Sequence, residues 1–310
     1  MLFRTLILKA SSWKPVKSLV TRSFLFRPLV RRFIAGETLD EAMSVAEALA
    51  VTCLNVSLDL LGENVGSVDE AKASTDAYIE TVNRIANSPQ RDKINISIKL
   101  TALGLDQGDD IAEANYRRLL EAAKPHGIFI RADMEASEYT ERTIAMVERV
   151  FPDFPNTGTV LQSYLKRTED DVERLVKLGC RLRIVKGAYL EPPDVAFPHK
   201  SDTDESFFRS CTRLMSEEAQ KAGVMLHIAT HDVALADRLS VWIAEHSVPS
   251  SAYEFAMLYG IQRQQQLRLA REGNRLRVLI SYGEFWFPWY MRRLAERPAN
   301  VWFVVKNLGS

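Results

Sequence analysis

The sequence lacks the cysteine pattern of a disulfide framework or of a zinc site. Its 310 residues include only three cysteines, Cys53, Cys180 and Cys211, and no two of them have a CxxC spacing. Disulfide-rich and zinc-binding proteins usually carry paired cysteines at short, regular spacings. We therefore expect three reduced, mostly buried thiols in a protein of a reducing compartment.

An excess of charge of either sign is also missing. Forty basic residues are balanced by forty acidic residues, and 46% of the chain is hydrophobic. Nucleic-acid-binding domains are normally strongly basic, so this balance argues against a nucleic-acid partner. The composition is that of an ordinary globular protein, and the length suits one large domain.

Long apolar runs are absent as well. The apolar stretches near the N-terminus, such as residues 5–8 and 24–26, are far shorter than the ~20 residues of a membrane-spanning helix. Residues 1–34 contain eight basic residues and no acidic one. We interpret residues 1–48 as a basic helical arm and residues 49–310 as the catalytic domain. For the arm, a packing role and contact with an anionic membrane surface both stay open.

Short strand-like segments alternate with amphipathic helices from residue 50 onward. The predicted strands cover residues 51–61, 94–100, 128–134, 160–164, 182–186, 224–230, 252–258 and 277–281. The predicted helices cover residues 68–86, 111–124, 138–150, 169–178, 204–222, 233–246, 261–271 and 289–300. Alternation of this kind implies a parallel sheet, and eight units imply a closed α/β barrel of the (βα)8 type. An open doubly wound sheet is the alternative, although no GxGxxG motif follows any strand.

Polar side chains concentrate at the predicted carboxyl ends of the strands. They are Lys99, Asp133, Glu135, Gln162, Tyr164, Arg183, Lys186, Thr230, His231, Asp232 and Glu254. These ends meet at one mouth of a parallel barrel, where the active sites of such barrels lie. Because buried charges must be paired or used, this concentration predicts a binding or catalytic site.

The residue types narrow the chemistry of this site. His231 has no second histidine or glutamate at a metal-ligand spacing, and the chain has no GxSxG nucleophile motif. Lys99 or Lys186 as a Schiff-base lysine is an alternative that stays open. The arginine, lysine and glutamine side chains, with the small pair Gly187-Ala188, favour an anionic cofactor and a small carboxylate substrate.

The C-terminal helix has two opposed faces. Phe287, Tyr290, Met291 and Leu294 form an apolar stripe, and the opposite face carries Trp289, Arg292, Arg293 and Glu296. The charged face is typical of a solvated helix surface. The adjacent arginines also suit a clamp for a small carboxylate, because guanidinium groups bind carboxylates in a bidentate manner.

Several motifs follow one another along the chain. They are SIKL at 97–100, RADME at 131–135, LQSY at 161–164, RIVKGAY at 183–189, HK at 199–200, TD at 203–204, ATHD at 229–232, YEFAMLYG at 253–260 and YMRRLAERPAN at 290–300. Together and in this order they resemble the monofunctional bacterial proline dehydrogenases, whose barrel is also that of the proline dehydrogenase domain in bifunctional proline-catabolic enzymes.

The resemblance implies a distorted, TIM-like barrel with the last helix over its mouth. It implies that non-covalently bound FAD oxidises L-proline to Δ1-pyrroline-5-carboxylate, the first step of proline catabolism to glutamate. The electrons then pass to a membrane quinone. It also implies a cytoplasmic location. Peripheral contact with the inner face of the cell membrane is the more specific alternative.

The resemblance also assigns roles to individual residues. The catalytic residues would be Asp133 and Arg183. The substrate-binding residues would be Lys99, Tyr189, Leu258, Arg292 and Arg293. The FAD-binding residues would be Met134, Gln162, Arg183, Lys186, Gly187, Ala188, His199, Lys200, Thr230 and His231. An ion pair between Arg183 and Glu296 would gate the site, and no metal is implied.

Three departures from the family pattern concern substrate fit. Leu279 and Trp289 stand where relatives usually have tyrosines, and Ala256 stands where a glutamine is common. They leave open how the site discriminates proline from hydroxyproline. Two other functional hypotheses also stay open, a Schiff-base lyase acting on a small carboxylate and a non-catalytic barrel.

Overall fold

A computed structural model describes residues 33–52 and 54–286. The eight strands in these ranges are β1 (Asn55–Leu60), β2 (Ile94–Ile98), β3 (Ile130–Ala132), β4 (Thr157–Gln162), β5 (Arg181–Val185), β6 (Leu226–Ala229), β7 (Tyr253–Leu258) and β8 (Leu276–Tyr282). Every neighbouring pair is parallel, and β8 pairs with β1 to close the barrel. The predicted (βα)8 barrel is confirmed.

Helices cover the outside of the barrel. In the described ranges they are α1 (Leu39–Val51), α2 (Val68–Ala86), α3 (Asp109–Ala123), α4 (Ser137–Val150), α5 (Thr168–Leu178), α6 (Lys200–Leu214), α7 (Glu217–Lys221), α8 (Val233–Glu245) and α9 (Arg263–Arg271). None of them is long and apolar enough to cross a bilayer. Three parts of the chain lie outside the described residues. They are residues 1–32 of the predicted arm, Cys53, and the predicted C-terminal helix with its arginine pair.

The start of the barrel differs from the sequence-based expectation. Thr38 and Glu41 form a capping box that begins α1, and this helix continues to Val51. The first strand therefore begins at Asn55 and not at residue 51. Helix α1 runs across the predicted domain division at residue 48, and that division stays a prediction.

The predicted helix over residues 204–222 is two helices in the structure. The first, α6, ends at Leu214. Ser216 then caps the start of the short helix α7 by accepting a hydrogen bond from the backbone N–H of Ala219. The helix predicted over 68–86 has those bounds in the structure, where Ser67 caps its start by accepting from the N–H of Glu70.

The strands alternate between an apolar outer face and a polar inner face. Val56 and Leu58 of β1, like Ile184 of β5, belong to the apolar cores between sheet and helices. The intervening residues are buried polar side chains that bond to one another: Ser57, Asp59, Ser97, Arg131, Arg183, His227, Glu254, Arg277 and Ser281. Because polar groups fill the barrel interior, the strands can bring charged side chains directly to its mouth.

Candidate active site

Lys99 follows the end of β2 and forms a buried ion pair at the mouth of the barrel. Its Nζ donates to the Oδ1 of Asp59 on β1 at 2.9 Å, and the two side chains are 12% and 4% exposed. Burial disfavours the charged ammonium, but the Asp59 carboxylate and weaker neighbouring interactions outweigh it and hold the pKa of Lys99 above its ordinary value. Lys99 is therefore an ammonium donor, suited to a carboxylate and poorly suited to nucleophilic attack.

Arg183 of β5 is the second buried cation of the site. Its Nη2 donates to the Oγ of Ser97 at 3.1 Å and forms an ion pair with Asp133, which follows β3. Ser97 in turn lies 3.2 Å, Oγ to Oγ, from Ser57. The buried Nε of Arg183 has no hydrogen-bond partner within residues 33–52 and 54–286. A buried donor in this state is suited to an acceptor on a ligand.

Two lysines and two aspartates form an ion network beside the mouth. The Nζ of Lys186 donates to Asp204 at 2.5 Å and to Asp232 at 2.8 Å, and Lys200 pairs with the same two carboxylates. The hydrogen bonds from Lys186 and Lys200 lower the pKa of Asp232 below its ordinary value. Lys200 is 70% exposed, so this network joins the interior to the solvent edge of the site.

Gly187 is in contact with an aromatic ring. Its φ of +120° favours glycine, and a Cβ at this position would lie 2.2 Å from the Cδ1 of Tyr164. The ring of Tyr164 therefore lies directly against this backbone. Ala188 and Tyr189 continue from here into the connection between β5 and α6, and His199 ends that connection directly before α6.

Three other predicted cofactor contacts lie on the ends of β3, β4 and β6. Met134 and Gln162 are buried, and the Nε2 of Gln162 donates to the carbonyl of Glu135 at 2.9 Å. The Nε2 of His231 accepts from the backbone N–H of Leu258 at 3.0 Å, which favours the neutral tautomer with its proton on Nδ1. This bond fixes His231 against the end of β7.

Glu135 ties two of the loops at the mouth together. Its carboxylate accepts from the backbone N–H of Thr101 at 3.1 Å and from the hydroxyl of Thr101 at 2.5 Å. The Oγ1 of Thr101 accepts from the N–H of Asn64 in the preceding loop at 3.1 Å. Burial raises the pKa of Glu135 to about 7, against the opposing effect of the Thr101 hydrogen bonds.

The assignment of Glu254 to the mouth is wrong. Glu254 is the second residue of β7 and lies near the amino end of the barrel, because the strand begins at Tyr253. It accepts from the Nε of Arg277 at 3.0 Å and lies 3.4 Å from the Nε2 of His227. Burial, followed by the charge of Arg131 and of other arginines, lowers the pKa of His227 well below its ordinary value. These groups form a closed structural network below the site.

The structure joins several of the predicted site residues and adds others. Arg183 bonds to Asp133 and Lys99 bonds to Asp59, whereas Arg292, Arg293 and Glu296 lie outside the described residues. Asp59, which belongs to none of the motifs, bonds to Lys99, and Ser97, the first residue of the SIKL motif, bonds to Arg183 without having been assigned a role. Asp59 could have been identified from the sequence as a carboxylate near the end of a largely apolar strand.

Two of the three residues that depart from the family pattern lie on the last two strands, and the third, Trp289, lies outside the described residues. Ala256 is buried on β7, and Leu279 is half-buried on β8. Leu279 is the register partner of Leu258, the predicted substrate-covering residue. A leucine pair at this position offers apolar contact without a hydroxyl group.

The chain is similar to known proteins over most of its length. A family model described as proline dehydrogenase matches residues 42–306. Proline dehydrogenase 1 of Bacillus subtilis (strain 168) is 37% identical over 278 residues, which cover 90% of each chain. The proline dehydrogenase of Deinococcus radiodurans is 37% identical over 285 residues, again 90% of each chain.

A solved structure is also similar. It is the crystal structure of proline utilization A from Bdellovibrio bacteriovorus inactivated by N-propargylglycine, with a TM-score of 0.78 and 25% sequence identity. The match covers 86% of the present chain and 32% of the solved one. The chain therefore spans about a third of that protein, and the similar region contains the barrel. These matches do not favour the Schiff-base lyase. The ammonium state of Lys99 does not favour it either, because a Schiff base requires a neutral amine.

Proposed function

The chain belongs to the proline dehydrogenase family, and we propose that it oxidises L-proline to Δ1-pyrroline-5-carboxylate with non-covalently bound FAD. Oxidation of proline is the reaction of this family and the first step of proline catabolism. The observation that carries the cofactor proposal is the buried Nε of Arg183, which has no partner among the described residues. A hydrogen-bond acceptor on a bound cofactor satisfies this donor.

The side chains around Arg183 fit an anionic, hydrogen-bonding cofactor. Lys186 and Lys200 supply positive charge at the solvent edge, and Gln162 and His231 are held by backbone hydrogen bonds. The residues that would hold FAD are Met134, Gln162, Arg183, Lys186, Gly187, Ala188, His199, Lys200, Thr230 and His231. When bound, FAD supplies a two-electron acceptor for hydride.

The protein side of the reaction is binding and orientation. The ammonium of Lys99, together with Arg292 and Arg293, would bind the proline carboxylate, while Tyr189 and Leu258 would cover the ring. The substrate would lose a hydride from the ring CH2 carbon next to nitrogen to the cofactor, a C=N bond would form, and the two nitrogen protons of the proline ammonium would pass to solvent. Fixing the substrate in a reactive orientation contributes several kcal/mol, about 7–11 kcal/mol in the most favourable systems.

Arg183 and Asp133 would set the electrostatics at the reacting carbon. Arg183 is held by Asp133 and Ser97, so its charge is fixed before substrate binds. Positive charge from Arg183 and Lys186 would favour the negative charge that a flavin gains on reduction. Glu296 would pair with Arg183 to close the site, a pairing that involves a residue outside the described ranges.

We also propose the electron acceptor and the location. The electrons would pass to a membrane quinone, and the protein would be cytoplasmic with peripheral contact at the inner face of the membrane. Support comes from the eight basic residues within residues 1–34, which suit an anionic lipid surface. Sedimentation with anionic vesicles and with neutral vesicles tests this contact, which requires binding to the anionic vesicles alone.

The experiment that tests the function uses the full chain purified with FAD. L-proline and a soluble quinone are added, and Δ1-pyrroline-5-carboxylate is measured by mass spectrometry. We expect product with L-proline and none with D-proline, and a greatly raised KM for the Lys99→Met variant. Absence of product from FAD-loaded protein would contradict the proposal.

A further inference from the structure

Asp59 is a buried carboxylate at the mouth that no motif identified. It lies on β1 with 3% of its surface exposed. Its Oδ1 accepts from the Nζ of Lys99 at 2.9 Å, and its Oδ2 accepts from the Oγ of Ser281 at 3.0 Å. Asp59 therefore links the three neighbouring strands β8, β1 and β2 through a single side chain. Both of its oxygens are used, so its orientation is fixed.

The other ionisable groups near Lys99 do not replace Asp59. Tyr78 of α2 is held neutral, because burial raises the pKa of its hydroxyl. Asp133 is paired with Arg183, and the Glu135 carboxylate is bonded to Thr101. Among the described residues, Asp59 is thus the carboxylate that is bonded to the ammonium.

We propose that Asp59 is a positioning residue that holds the Lys99 ammonium in place for the carboxylate of the substrate. This inference rests on the proposed function, in which Lys99 binds that carboxylate. A lysine side chain has four rotatable bonds, and ordering it on binding opposes affinity. The bond to Asp59 orders the ammonium beforehand, so the substrate meets a donor that is already in position.

A second consequence concerns pH. Burial disfavours the charged form of Lys99, and the Asp59 carboxylate is the main opposing influence. Loss of the Asp59 charge therefore lowers the pKa of Lys99. Carboxylate binding should then be lost at a lower pH than in the wild type. A side chain that only stabilised the fold would not move this pH dependence.

A simple competition model predicts the opposite result. If Asp59 only competed with the substrate for the ammonium, replacing it with asparagine would strengthen carboxylate binding. The two models therefore differ in the sign of the effect. Asparagine keeps the size of the side chain and its hydrogen-bonding capacity toward Lys99, so the change isolates the charge.

The test measures binding to the FAD-loaded full chain. The probes are cyclopentanecarboxylate, which has the ring and carboxylate of proline without its nitrogen, and the neutral cyclopentanecarboxamide. In Asp59→Asn we expect carboxylate binding to weaken by about tenfold or more, as for loss of a charge-assisted contact, with amide binding unchanged. The alkaline loss of carboxylate binding should begin at a lower pH than in the wild type. Tighter carboxylate binding, or an unmoved pH profile, would overturn the inference.

The matched control is Glu254→Gln. It also converts a buried carboxylate with a cationic partner into an amide, but at the opposite end of the barrel. We expect wild-type probe binding from this variant. If it weakened binding as much as Asp59→Asn, a general loss of barrel order would explain both results and the inference would fail.

A double-mutant cycle separates this inference from the proposed function. Lys99→Met alone should weaken carboxylate binding, and adding Asp59→Asn should then change little, because Asp59 acts through Lys99. If Lys99→Met binds normally, the proposed role of Lys99 is wrong. If Lys99→Met weakens binding while Asp59→Asn does not, only the present inference is wrong.

A milder variant covers the case in which Asp59→Asn does not fold. Ser281→Ala removes the bond to the second oxygen of Asp59 and leaves the ion pair with Lys99 intact. We expect a weakening of the same sign but only about two- to fivefold, because the ion pair between Asp59 and Lys99 remains. Unchanged or tighter carboxylate binding in Ser281→Ala would count against the positioning role.

Discussion

Replacing Asp133 with asparagine removes the charge that pairs with Arg183 and keeps the size of the side chain. The side chain of Arg183 is 7% exposed and that of Asp133 is 18% exposed, so solvent screens this pair weakly. After the change, the Nη2 of Arg183 retains its bond to Ser97. The guanidinium keeps its charge but loses its carboxylate partner.

The expected cost follows from this burial. Loss of a charge-assisted hydrogen bond costs about 1.5–3 kcal/mol, and stranding one partner of a buried pair costs about 3–5 kcal/mol. We expect the free energy of unfolding of Asp133→Asn to be lower by about 2–4 kcal/mol, because Asp133 is partly exposed. At about 2 °C per kcal/mol, the thermal midpoint should fall by about 4–8 °C. The kcat/KM for proline should fall at least about tenfold, since the guanidinium is no longer fixed at the site.

Scanning calorimetry and steady-state kinetics on the same preparation measure both effects. The control is Asp237→Asn, which breaks the pair between Asp237 and Arg268, whose side chains are 47% and 41% exposed. An exposed pair contributes about 0–1 kcal/mol, so this variant should melt within about 2 °C of wild type. Equal midpoints for the two variants, with unchanged kinetics, would refute the reasoning.

Three further predictions concern other parts of the site. Arg292→Ala should raise the KM for proline by about 10- to 100-fold with FAD retained, as steady-state kinetics and the flavin spectrum will measure. Gly187→Ala should lower the melting midpoint and the flavin content, because its Cβ would meet the Tyr164 ring; Gly62→Ala, which meets nothing within 4 Å, should not. Burial raises the pKa of Glu135 to about 7 from 4.5, so its contribution to stability is present at low pH and is lost as the pH rises toward 7. In denaturant unfolding, the free energy of unfolding of Glu135→Gln should therefore rise relative to that of the wild type between pH 4.5 and pH 7.

The barrel was predictable because its signal is repeated. Eight apolar segments, each followed by an amphipathic helix, leave few arrangements that bury all the apolar faces. The boundary at the first strand was not predictable from hydrophobicity, since Val51 is apolar in a helix or a strand alike. The capping box at Thr38 and Glu41 begins α1, and this helix continues through Val51.

The site was predictable where a strand-end side chain belongs to a recognisable motif. Lys99, Asp133 and Arg183 were identified in this way. Asp59 was not, because its partner Lys99 is forty residues away and the two meet only when β1 and β2 pair in the observed register. Glu254 was assigned to the wrong end, although the predicted strand over 252–258 already puts it near the amino end of that strand.

The visible spectrum of the purified full chain tests the central claim most directly. We expect the protein to show a flavin band at ~450 nm, either as purified or after adding FAD. L-proline added without oxygen should bleach this band, and a quinone should restore it. A colourless protein that does not take up FAD, or a flavin band unaffected by L-proline, would contradict the account.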